Sequence, residues 1–66
     1  MHISLNGKPR DVQEQSTLAS LIKDCCSKPE HVVAELNGSI IQRQTWAETH
    51  LKNNDRIELV SFVGGG

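Results

Sequence analysis

The chain has 66 residues, 36% of them hydrophobic, with seven basic and eight acidic side chains and a formal net charge of −1. A domain of this size buries only about 60% of its unfolded surface, which leaves no space for a substrate cleft between layers and argues against a self-sufficient enzyme. The balanced charge argues against nucleic acid as a partner, no apolar run approaches the ~20 residues of a membrane span, and the opening MHISLNGKPR lacks the features of a signal peptide, so a cytoplasmic location is expected.

The elements follow in chain order. Met1, Ile3 and Leu5 alternate with His2 and Ser4, the pattern of a half-buried strand. Asn6-Gly7 is a hairpin signal, since both residues accept positive φ. A second strand is predicted from about Lys8 to Gln13, with Val12 facing in and Pro9 tolerated near its start or on an edge. Ser16 or Thr17 opens a helix, in which Leu18, Leu21, Ile22 and Cys25 form one stripe, and Pro29 closes it. HVVAEL is the third strand, turned by Asn37-Gly38 into SII, whose Ile40 and Ile41 imply either burial on two faces or a twist. RQTWAETHL provides one helical turn packed through Trp46 and Leu51. KNNDR makes a turn with Asn53 or Asn54 in the left-handed conformation. The last strand, RIELVSFV, puts Ile57 and Leu59 on one face and Val60 and Phe62 on the other.

Hairpin, helix, hairpin, short helix and strand predict an α+β fold, with a mixed sheet of four to five strands curled over one main helix and the last strand beside the first. The predicted core is Ile3, Leu5, Val12, Leu18, Leu21, Ile22, Val32, Ala34, Leu36, Ile40, Leu51, Ile57 and Leu59. Residues 1–63 form the single domain, and 64–66 a flexible glycine tail.

Few residues suggest chemistry. Cys25, Cys26 and His31 are close in sequence, but adjacent thiols without a second ligand pair do not build a zinc site. The thiols, expected to be free, sit near a helix C-terminus, where the dipole opposes a thiolate. His2, His31 and His50 are scattered, and Glu14, Asp24, Glu30, Glu35, Glu48, Asp55 and Glu58 show no pairing for acid–base work. No metal site is expected. What remains is the tail, Gly64, Gly65 and Gly66, directly after a strand. It is either a frayed terminus or a thread: three glycines reach about 10 Å and fit where no side chain would. A protein whose functional group is its own terminal carboxylate needs that group activated first.

The stretches MHISLNGK, ELNGSIIQRQTW, LKNNDRIELVSFV and the final Gly-Gly resemble the ubiquitin-like sulfur carriers of the ThiS/MoaD family, over essentially the whole chain. The match is closest to the ThiS carriers of thiamine (thiazole) biosynthesis. Two positions depart from the family pattern: Gln42 stands where proline is usual, and Asn54-Asp55 where Gly-Asp is usual.

The resemblance implies the β-grasp fold and a carrier rather than an enzyme, with no cofactor of its own. A ThiF-like adenylating enzyme, using ATP and Mg, would adenylate Gly66. A cysteine desulfurase or other sulfur donor would convert it to a thiocarboxylate, and a ThiG-like thiazole synthase would accept the sulfur. Gly64 and Gly65 would thread the partner channels, and no side chain of the carrier would be catalytic. Val60 and Phe62 are the expected docking surface, the alternative being a second small core under a loop. Carriers for molybdopterin synthesis or tRNA thiolation share this fold and the Gly-Gly end. A plain ubiquitin-like interaction module and an enzyme using Cys25 or Cys26 are the competing classes.

Overall fold

The computed structural model describes residues 1–62. It begins with a hairpin in which His2–Leu5 (β1) and Lys8–Asp11 (β2) pair antiparallel. Asn6 and Gly7, with φ of 51° and 82°, supply the two left-handed residues of a tight two-residue turn. β2 lies at the edge of the sheet, where Pro9 costs no internal rung. The strand stops at Asp11, short of the expected Gln13, because the chain turns toward the helix there with Gln15 at φ 69°.

The helix is Leu18–Cys25 (α1). Thr17 rather than Ser16 caps it: its hydroxyl accepts the Ser20 N–H at 3.1 Å, and the Ser20 hydroxyl accepts the Thr17 N–H at 3.1 Å. Leu18, Leu21 and Ile22 are buried as the spacing requires. The fourth member of the stripe differs. Cys25 is exposed, and Cys26, extended at φ −128° and ψ 131° just past the last turn, packs toward the core instead.

A 3₁₀ turn at Pro29–His31 leads into the second hairpin, Val32–Leu36 (β3) and Ser39–Ile41 (β4), joined by Asn37 and Gly38 at φ 52° and 88°. Its register corrects the predicted core. Ala34 lies opposite Ile41 and Glu35 opposite Ile40, so Ile41 faces the helix while Ile40 is 68% exposed. Arg43–Glu48 forms a 3₁₀ helix that buries Trp46, whose Nε1–H donates to the Ile41 carbonyl at 3.0 Å. Two backbone bonds, Leu18 N–H to Thr49 and Leu51 N–H to Ser16, tie this segment to the start of α1.

The last strand, Arg56–Ser61 (β5), takes the centre of a five-stranded sheet ordered β2-β1-β5-β3-β4. It runs parallel to β1 and antiparallel to β3. This is the expected β-grasp arrangement, with α1 across one face. The core among the described residues is Ile3, Leu18, Leu21, Ile22, Val32, Ala34, Trp46, Leu51 and Ile57; Leu5, Val12, Leu36 and Leu59 are partly buried against it. Among the described residues no helix is long and apolar enough to cross a membrane. Val63 and the glycines 64–66 lie outside the described residues, and with them the expected domain boundary.

Candidate functional site: the last strand and its approach to the glycines

In the sequence only Phe62 and Val63 separate β5 from the glycines, so the way this strand is held bears on what they are attached to. Its base is fixed by side chains. The Asn37 Oδ1 accepts the Arg56 N–H at 2.9 Å, and the Asn37 N–H donates to the Arg56 carbonyl at 2.7 Å. The Asn37 Nδ2 also donates to the Asp55 Oδ1 at 3.0 Å, and the Asp55 Oδ2 accepts the Lys52 N–H at 2.7 Å. Asp55 is buried and both its carboxylate oxygens accept from the turns around it. Asn54, at φ 73°, adopts the left-handed conformation expected of it, so its departure from the family's usual glycine leaves the turn intact.

The distal end is held differently. On the β3 side the pairing runs the whole way, with Val33 opposite Val60, Val32 opposite Ser61, and the Phe62 N–H donating to the His31 carbonyl at 2.7 Å. On the β1 side the strand pairing ends at Leu5 opposite Ile57. One further anchor follows: the Asn6 Oδ1 accepts the Leu59 N–H at 2.8 Å, and its Nδ2 lies 3.4 Å from the Leu59 carbonyl.

Strand alternation sends Ile57 and Leu59 toward the helix and Val60 to the opposite face. Val60 is 49% exposed and Phe62 55% exposed, so neither belongs to a second small core under a loop. Val33, half-buried, extends this apolar strip from β3, and the facing pair Glu35 and Glu58 bounds it on the side away from the tail. Gly64, Gly65 and Gly66 themselves lie outside the described residues.

The other candidates do not converge. Among the described residues no three His, Cys, Asp or Glu side chains are placed to hold a metal ion. Cys25, Cys26, Lys28 and His31 line a cleft of about 420 Å³ beside Ser61 and Phe62. Burial, and then the neighbouring Cys25, push the Cys26 thiol up from its ordinary value, which disfavours the thiolate. His2 meets Asp11 on the exposed surface. Arg43 donates to the Glu30 carbonyl and so braces a loop. Two contributors escape a sequence reading, the side chains of Asn6 and Asp55. Asn6 acts on a strand 53 residues away, and its only signal is the Asn-Gly dipeptide, which reports a turn and not a clamp; Asp55 closes the turn at Lys52 three residues back but also reaches Asn37, 18 residues away.

The chain matches the ThiS family over residues 3–66. It is 36% identical over 67 residues to the sulfur carrier protein ThiS of Bacillus subtilis strain 168, covering 97% of this chain and 98% of that one. It is 38% identical over 66 residues to a thiazole synthase of Magnetococcus marinus, where the whole chain spans only 20% of the longer protein. The crystal structure of the thiamine biosynthesis protein ThiS from Geobacter metallireducens superposes with a TM-score of 0.86 at 33% identity, covering 100% of both chains. With a family match that spans nearly every residue and a shared fold, the chain belongs to the ThiS family.

Proposed function

We propose that the chain is a sulfur carrier of thiamine biosynthesis whose reactive group is the carboxylate of Gly66. The observation that carries this reading is that the family match runs through residue 66 and so includes the glycines. The carboxylate oxygen attacks the α-phosphorus of ATP in a ThiF-like adenylating partner, where Mg accompanies the ATP, and pyrophosphate leaves. The persulfide of a sulfur donor such as a cysteine desulfurase then displaces AMP to give an acyl disulfide. A reducing thiol attacks the donor-side sulfur, breaking the S–S bond and releasing the thiocarboxylate while donor and thiol are left joined as a disulfide. A ThiG-like thiazole synthase takes that sulfur, and the similarity to a thiazole synthase of Magnetococcus marinus supports this acceptor. The chain contributes no catalytic side chain and binds no cofactor. Gly64 and Gly65 form the thread, and Val60 and Phe62 the docking surface, their exposure next to the tail supporting that role.

Intact mass after incubation with ATP, the adenylating enzyme and a sulfur donor tests this directly. The expected result is one oxygen-to-sulfur exchange, lost on deletion of Gly65 and Gly66 while the melting temperature holds. An unchanged mass with a competent enzyme present overturns the proposal.

A further inference from the structure

β5 is a central strand that becomes an edge strand before it ends. β1 turns away at Asn6, so on that side only Arg56 and Ile57 find strand partners, whereas on the β3 side pairing continues to Ser61. The N–H and carbonyl of Leu59 point toward the missing strand. The Asn6 carboxamide takes the place of that strand: its Oδ1 accepts the Leu59 N–H at 2.8 Å and its Nδ2 faces the Leu59 carbonyl at 3.4 Å. The Asn6 N–H meanwhile donates to the Ile57 carbonyl at 2.9 Å, so one residue holds two successive rungs. Beyond Leu59 the described residues are paired on the β3 side alone, with Val60 opposite Val33, Ser61 opposite Val32 and the Phe62 N–H donating to the His31 carbonyl. A strand gripped on both sides has a fixed exit direction, whereas one gripped on a single side peels or twists about that side. The last two-sided grip therefore sets where Val60 and Phe62 point.

We infer that Asn6 is a positioning residue for sulfur carriage: by clamping Leu59 it aims the docking strip and the root of the glycine tail at the adenylating partner. This deepens the proposed function and rests on it. The residue is well suited to a clean test. It sits at φ 51°, a conformation that glycine adopts without strain, so Asn6→Gly removes the carboxamide and preserves the turn. Asn37→Gly is the matched control. It has the same turn geometry and a similar clamp, but acts on Arg56 at the opposite end of β5.

The test measures pyrophosphate release by the adenylating enzyme of the same organism against carrier concentration, together with amide hydrogen exchange of the carrier alone. Asn6→Gly is expected to speed exchange at the Leu59 amide and raise KM about five- to tenfold, the scale of one lost hydrogen bond, with kcat retained at saturation. Asn6→Asp, which keeps the acceptor oxygen, is expected to restore most of the affinity. Asn37→Gly is expected to lower the melting temperature and leave KM within about twofold of the original. If the wild-type carrier supports no pyrophosphate release, the functional reading itself falls. If the wild type turns over and Asn6→Gly keeps its KM despite faster exchange at Leu59, the positioning role alone is overturned. That role is also overturned if KM rises equally in both glycine variants in proportion to lost stability.

Discussion

The two ends of β5 are built on opposite plans. At the base, Ile57 is enclosed between β1 and β3, Arg56 pairs with β1, Asn37 brackets the Arg56 backbone, and Asp55 beneath fixes Asn37 in turn. At the distal end, Ser61 and Phe62 have a neighbour on one side, and Val60 and Phe62 face solvent. The base is where a small core needs its register fixed, because a slip of one residue would turn Ile57 outward. The distal end contributes little burial, and its apolar side chains are left for something else to cover. Stability and proposed function thus occupy the same strand about four residues apart, with Leu59 and its clamp between them.

The sharpest way to break this comparison is to empty the base. Ile57→Ala removes a fully buried side chain and should cost about 2–5 kcal/mol in a urea denaturation curve. Removing the carboxylate below it, Asp55→Ala, strands the Lys52 N–H and the Asn37 amide and should cost about 1–3 kcal/mol by the same measurement. A smaller change of opposite sign lies outside both ends. Gln42 sits at φ −70° and ψ 146°, within the range of proline, and its N–H donates to no group among the described residues. Gln42→Pro should therefore add about 0.4–1 kcal/mol, seen as a higher urea midpoint with an unchanged slope. The smallest stability effect is expected at the distal end, where Phe62→Ser should stay within about 0.5 kcal/mol of the original while raising KM for the adenylating enzyme. If Phe62→Ser unfolds the protein as readily as Ile57→Ala, the two ends are not distinct.

Much of the fold was legible because it is written locally. Both Asn-Gly turns, the Leu18–Leu21–Ile22 stripe and the inward set Ile57 and Leu59 are short-period patterns, and each holds. The central place of β5 followed from the layout. The differences arise where position depends on register or on a distant partner. Ile40 and Ile41 are equally apolar, and only the two-residue turn, which sets Leu36 opposite Ser39, decides that Ile41 faces in. Cys25 obeys the helical period, but the helix ends there and Cys26 takes the inward place. Gln15 carries no mark of its left-handed conformation. Of the candidate site, Val60 and Phe62 were visible from alternation. The Asn6 clamp was not, since it joins residues 53 apart. The role proposed for Gly66 rests on the family resemblance.

The parallel pairing of β1 with β5 has a mechanical consequence. The chain enters β1 at Met1, beside the base of β5, and leaves β5 past Phe62 at the opposite end of the sheet. A partner that pulls on the glycines while the opposite end of the fold is held therefore loads the rungs between the two strands in shear. They bear the tension together and do not open one by one like a zipper. The sheet that carries the tail is thereby arranged to resist the tug of any channel that draws the tail in.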